Sequence, residues 1–277
     1  MSKRALNLHS ETRALAAENE LLRDELARLL AEAHDLWHTV RPNLMALYHT
    51  KIGACELDLL QTMYQFAYLK RTLELAQAAL NRSELPDRQA IEQQLQRELV
   101  GWRQRIAEAA ERIKSGEARL SSLLSPAKDR KLKKLYRALV KALHPDLHPN
   151  LTAEQARMWQ RVQDAYALAD LEELQALALV VKQPEAAVPE LLSLDKLRLE
   201  QEKLRKHIAE MLERIGSIRS HPPFSLQEQL ADGDWVAERR RELEAKKETY
   251  ESKVAVLQAQ LKALRMSEGY VPGFGPN

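Results

Sequence analysis

With 277 residues, 45% of them apolar and 30% charged, but only 8 glycines and 5% aromatics, the chain lies closer to long-helix and coiled-coil proteins than to an average globular domain. A formal charge of +2 is too near neutral for a general nucleic-acid binder, and one cysteine, Cys55 among apolar neighbours, reads as a buried inert thiol rather than a redox centre. Apolar residues on narrow stripes argue against one large core, so the expected class is all-α, built from long helical hairpins and coiled coils around a smaller helical hairpin.

Residues 1–40 carry leucines at Leu8, Leu15, Leu22, Leu29 and Leu36, an unbroken heptad spacing. Thr12, Asn19, Leu26, Ala33 and Val40 complete an a/d seam, in which the polar Asn19 would select a register or a two-stranded state. Such a helix can be a homodimeric zipper or an internal helix packed on its own chain. Arg41, Pro42 and Asn43 are expected to interrupt it. From 43 to 116 two further stripes follow. Leu59, Met63, Phe66, Leu69, Leu73, Ala76 and Leu80 form one; Ile91, Leu95, Trp102, Ile106, Ala109 and Ile113 form the other. The break from Asn81 to Asp87, with Pro86, makes them an antiparallel hairpin that ends at Ser115 and Gly116.

The segment 118–182 is the most informative. Between Leu132 and Leu168 it reads LKKLYRALVKALHPDLHPNLTAEQARMWQRVQDAYAL. On a helix, Leu132, Leu135, Tyr136, Leu139 and Leu143 fall on one side and Arg130, Lys134, Arg137 and Lys141 on the other, so one face is core and the opposite face a cationic stripe. Pro145 disfavours α geometry at His144 and stops the helix. Thr152 and Gln155 form a capping-box pattern that starts the next helix, whose Trp159, Val162, Ala165, Tyr166 and Ala169 can pack on the preceding leucines. The expected product is an antiparallel hairpin with His144, Pro145 and Asp146 exposed at its tip.

A basic helix with a tyrosine eight residues before the tripeptide His-Pro-Asp, followed by W-x-x-V-x-x-A-Y, resembles the second half of a J-domain, as found in coiled-coil-flanked bacterial-type members of the DnaJ family. That resemblance implies docking on a DnaK-type heat-shock chaperone through His144, Pro145, Asp146, Lys133, Lys134, Arg137 and Lys141. It implies a packing role for Tyr136, Leu139, Trp159, Ala165 and Tyr166. None of these residues would act chemically on a substrate, so the chain is not expected to be an enzyme and needs no cofactor or metal. The mechanism would be allosteric, through higher affinity for the partner's hydrolysis-competent state. J-domains open with a helix bearing a D-Y-Y-x-x-L-G type signature, which is missing before Leu132. Ala118 to Leu124 is the expected substitute, with Leu120, Leu123 and Leu124 covering the same apolar face.

Pro184 and Pro189 mark a linker. Residues 190–266 then repeat the long-helix pattern, with Leu194, Leu197, Gln201, Leu204, Ile208, Met211, Ile215 and Ile218 before Ser220–Pro223 and a return stripe of Leu243, Lys247, Tyr250, Val254, Leu257, Leu261 and Leu264. A second hairpin or coiled coil is expected there. Residues 267–277, rich in glycine and proline, read as a flexible tail or a short docking peptide.

His34 and His38 have a metal-compatible spacing, but without a third ligand or an H-E-x-x-H motif they read as solvated histidines. No signal peptide is apparent and the apolar run Ala176–Val181 is far too short to span a membrane, so a soluble cytoplasmic protein is expected. Two functions follow: a co-chaperone whose coiled-coil arms recruit a client or self-associate, or a structural oligomer with a vestigial J-like hairpin.

Overall fold

The computed structural model describes residues 3–181 and 194–267, and among these every regular element is helical. In chain order they are α1 (Lys3–Asp35), a π-helical turn (Leu36–Val40), α2 (Arg41–Tyr48), a second π turn (His49–Gly53), α3 (Ala54–Asn81), α4 (Arg88–Glu98) and α5 (Val100–Ser121). Then come α6 (Pro126–Leu143), α7 (Ala153–Ala167), α8 (Leu171–Val180), α9 (Leu194–Ser220), a 3-10 turn (Phe224–Leu226), α10 (Gln227–Ala231) and α11 (Gly233–Ser267). The linker around Pro184 and Pro189 and the C-terminal tail lie outside the described residues. The chain divides into two units: residues 1–42 with 122–225, and residues 43–121 with 226–277.

The expected interruption at Arg41–Asn43 does not occur. Pro42 has no N–H to give a carbonyl four residues back, and the preceding π turn shifts the ladder, Arg41 N–H bonding Leu36 C=O, so the backbone passes the proline without leaving the helical region.

In the first unit, α1 lies against α9. Ion pairs Glu11–Arg198 (2.8 Å), Glu18–Arg205 (2.7 Å) and Glu32–Arg219 (2.7 Å) all join residues 187 apart, so the two helices run parallel. Of the two readings of the heptad seam, a zipper between copies or an internal helix packed on its own chain, the structure has the second, with α9 filling the seam, because a 3-4 apolar repeat fixes the width of a stripe and not whose stripe covers it. Asn19 is buried in that seam, where its Nδ2 donates to the Leu197 carbonyl at 2.9 Å. The polar seam residue therefore pins the register of an intrachain pair.

α6 to α8 make up the rest of this unit. Ser125 precedes Pro126, a proline at the first helical position where the missing donor costs nothing. At the other end His144 is extended (φ −69°, ψ 131°), as a residue before proline should be. Thr152 and Gln155 form the reciprocal capping box of α7. α7 ends two residues before Ala169, which was expected on its apolar face. Ala169 has φ 56°, its N–H bonds Tyr166 C=O at 3.0 Å and the N–H of Asp170 bonds Ala165 C=O at 2.8 Å, a Schellman closure. Asp170 then caps α8 by accepting from Glu173 N–H.

In the second unit α3 folds back on α4 and α5, giving the antiparallel hairpin expected for 43–116 with two changes. The return helix breaks at Leu99, just before the weak helix formers Val100 and Gly101, and Arg103 bonds the Gln96 carbonyl across the break at 2.5 Å. It also continues past Gly116, where an added Cβ would stand 3.1 Å from the Ala46 carbonyl oxygen, so this glycine allows close helix approach instead of ending the helix. α11 packs on α3 as well, in one apolar core shared with α4, and runs parallel to it: Arg240 meets Lys51 of the second π turn, and farther along Tyr250 meets Phe66. The hairpin expected over 190–266 is therefore replaced by two parallel pairs, α9 on α1 and α11 on α3. Cys55, half-buried, packs with Ile52, Leu230 and Leu243.

Candidate functional site

The site grows out of the hairpin α6–α7 in the first unit. Tyr136, Leu139, Trp159, Ala165 and Tyr166 are all buried, as sequence reasoning anticipated for a hairpin core. Their rings form a continuous stack: Tyr136 lies on Tyr166 with centroids 4.0 Å apart, Trp159 follows at 6.1 Å from Tyr136, and His144 meets the Trp159 face edge-on at 5.0 Å. The first residue of the tripeptide is thus anchored to the hairpin core.

That anchor organises the loop. His144 C=O accepts from the N–H groups of Leu147 (3.0 Å) and His148 (2.9 Å), and its Nδ1 accepts from the Asp146 N–H at 3.1 Å. Burial holds the His144 imidazole below its ordinary range, which agrees with an Nδ1 that must keep a lone pair for that bond. His148 Nε2 donates to the Lys141 carbonyl at 2.7 Å and ties the loop to the last turn of α6. Pro145 and Asp146 face solvent, while the His144 side chain is 18% exposed.

The four candidate cations fall into two classes. Lys134 and Arg137 are exposed. Lys141 bonds Glu20 (2.8 Å) and Asp24 (2.7 Å) of α1, and Lys133 bonds Asp35 (3.2 Å) of α1 together with Asp129 (3.3 Å). Asp24, then Glu20, raise the Lys141 ammonium above its ordinary range. For Lys133 burial acts to lower the ammonium, and the Asp35 carboxylate outweighs it.

The expected cover from Ala118 to Leu124 is not what closes the hairpin. Leu123 is 50% exposed, and Leu120 belongs to the second unit. The apolar face is instead closed by α8, through fully buried Leu174 and Leu177, and by α1. A heptad helix with a wide apolar stripe has more surface to bury than α9 can take, and the leucine face of α6 accepts it. Asp35 links the pieces: its Oδ1 accepts from the Tyr166 hydroxyl at 2.6 Å while its Oδ2 faces Lys133.

His34 is not a solvated histidine. Its ring stacks on His38 at 4.1 Å and packs 4.9 Å from Tyr136 and 5.5 Å from Tyr166, and its buried Nδ1 meets no hydrogen-bond partner among the described residues. Desolvation first, then the His38 charge, push its pKa down to about 4. The unfolded chain takes up this proton near 6.5 and the folded chain does not, so stability is complete above that value and falls as the pH drops towards 4. With partial exposure allowed for, a loss of roughly 1 to 2 kcal/mol between pH 7 and pH 5 is expected. Thermal melts across that range should show the loss in the native chain and a flatter profile in His34→Phe.

Among the described residues no group of three or more His, Cys, Asp or Glu side chains is placed to hold a metal ion, and no helix is long and apolar enough to cross a membrane. The geometry offers a fixed, solvent-facing corner flanked by cations, suited to protein contact. No protein-family model, curated protein or solved structure matches the chain.

Proposed function

We propose that the protein is a J-domain-type co-chaperone that docks on a DnaK-type chaperone and stimulates its ATP hydrolysis, its long helical pairs serving to recruit a client. The reading rests on one observation: an intact His-Pro-Asp corner, braced on Trp159 and closed by its own backbone bonds, with Pro145 and Asp146 in solvent beside exposed Lys134 and Arg137. Loop groups held by a packed hairpin are well suited to contact, and neither Lys134 nor Arg137 is buried in the packing of this chain. The chain itself would do no chemistry; it would favour the partner's hydrolysis-competent state by binding it more tightly. The second reading, a structural oligomer with a vestigial hairpin, draws support from Lys133 and Lys141, which already have partners on α1.

Single-turnover ATP hydrolysis by a DnaK-type chaperone separates the two. Acceleration by the purified protein supports the co-chaperone reading, and a well-folded protein without effect leaves the structural one. The surface itself is tested by Lys134→Glu combined with Arg137→Glu. Reversing two exposed charges should weaken docking roughly tenfold, flatten its salt dependence and leave the melting temperature nearly unchanged. Docking as tight as that of the native chain would place the contact elsewhere.

A further inference from the structure

Of the cations on α6, the one nearest the tripeptide is held by two ion pairs, both to α1. Lys141 Nζ sits between two α1 carboxylates, and neither contact is a by-product of deep packing: Lys141 is 41% exposed, Glu20 49% and Asp24 53%. Glu20 and Asp24 are one helical turn apart, and Asp35 follows roughly three turns later on the same side of α1, where it meets Lys133. The acidic side of α1 therefore runs antiparallel to the cationic side of α6. Glu25 adds to the field, since its carboxylate feels Arg137 although its bonds go to Arg28. Acidic groups of α1 are thus bonded to basic ones at both ends of the face assigned above to partner docking, at Lys133 and at Lys141, with Lys134 and Arg137 exposed between them.

We propose that α1 is a built-in competitor for that face: Glu20 and Asp24 occupy Lys141 as a partner's carboxylates would, so an acidic protein surface must exchange with them before the full cationic row can be read. The inference rests on the docking reading for the identity of the partner, but the masking itself does not. Exchange needs no helix to move. The Lys141 side chain is half in solvent, and α1 remains fixed through Asp35, Tyr166 and its apolar seam, so a rotamer change hands the ammonium to an incoming carboxylate. Exposed pairs of this kind are individually weak, so the mask sets a threshold instead of closing the site. The α1 carboxylates are held in place at an effective concentration of at least ~1 mM, which an isolated acidic group cannot match and a surface presenting several contacts at once can. The consequence is discrimination: stray acidic peptides are rejected and an extended acidic docking surface is admitted.

The test compares Glu20→Gln/Asp24→Asn with the native chain, using two probes in fluorescence binding assays: an oligo-glutamate peptide and a DnaK-type chaperone with ATP. Glu111→Gln/Glu117→Gln on α5 makes the same change of net charge and serves as control. Removing the mask should tighten binding of both probes about three- to tenfold. The control should leave both unchanged, and Lys141→Gln added to the unmasked variant should abolish the gain. Circular dichroism melting confirms that each variant is folded. Equal peptide affinity in the unmasked and native chains, or the same gain in the control, overturns the proposal. A peptide gain that depends on Lys141 without any chaperone binding upholds the mask and removes the chaperone as its partner.

Discussion

On the co-chaperone reading, Asp146→Asn and His144→Gln should each return single-turnover ATP hydrolysis by the chaperone to its unstimulated rate, with docking weakened about thirtyfold or more, while Asp146→Asn melts as the native chain does and His144→Gln only slightly below it. The two halves of that expectation come from different parts of the structure. Asp146 is exposed, and among the described residues its carboxylate has a long 3.9 Å approach to His144, so the corner does not depend on its charge. The corner is closed by backbone: His144 C=O takes the N–H groups of Leu147 and His148, and asparagine keeps both bonds. A charge that a partner desolvates on binding is different, since its removal costs roughly 2 to 5 kcal/mol at an interface. His144 is less separable, because its ring packs on Trp159 and its Nδ1 receives the Asp146 N–H. Glutamine can keep an acceptor there but not the ring edge, so a small loss of stability should accompany the loss of stimulation. A folded Asp146→Asn protein that stimulates like the native chain would end the co-chaperone reading.

What sequence reasoning reached and what it missed divide along one physical line. The stop of α6 and the start of α7 were legible because each is decided within a few residues: Pro145 stops the one, and Thr152 with Gln155 starts the other. The hairpin core was legible because its period is local too. The partners of α1, α9 and α11 were not. Their apolar stripes are nearly equivalent, and nothing in a 3-4 repeat distinguishes an intrachain parallel pair from a zipper between copies or a hairpin between neighbours. One signal was present, the recurring Glu11, Glu18 and Glu32 on α1 against Arg198, Arg205 and Arg219 on α9, though a match at 187 residues is hard to see without knowing the direction of the pair. The same blindness hid half of the candidate site. Asp35, Glu20 and Asp24 reach α6 from a helix distant in sequence, and the two π turns that follow α1 leave no propensity signature.

The largest loss of stability should come from Tyr136→Ala, at about 3 to 5 kcal/mol, read as a fall in melting temperature of several degrees or more. Tyr136 is 2% exposed and stands at the crossing of three packing relationships: Tyr166 stacks on it, Trp159 lies beyond, and His34 of α1 closes over it. Burial pushes its phenol well above the ordinary range, which marks an environment with little water to fill the space a lost ring would leave. The cavity would open between α6 and α7, and α1 cannot collapse into it while Asp35 is held by Tyr166 and Lys133. Tyr136→Phe keeps the stack and should cost at most about 1 kcal/mol. Because Trp159 rests on Tyr136 and His144 rests on Trp159, the alanine variant should also lose its hold on the tripeptide, so stimulation of the chaperone falls even at temperatures where the helices persist. The phenylalanine variant should keep it. An alanine variant that melts within 1 kcal/mol of the native chain would mean that the leucine face of α6, and not the ring stack, carries the hairpin.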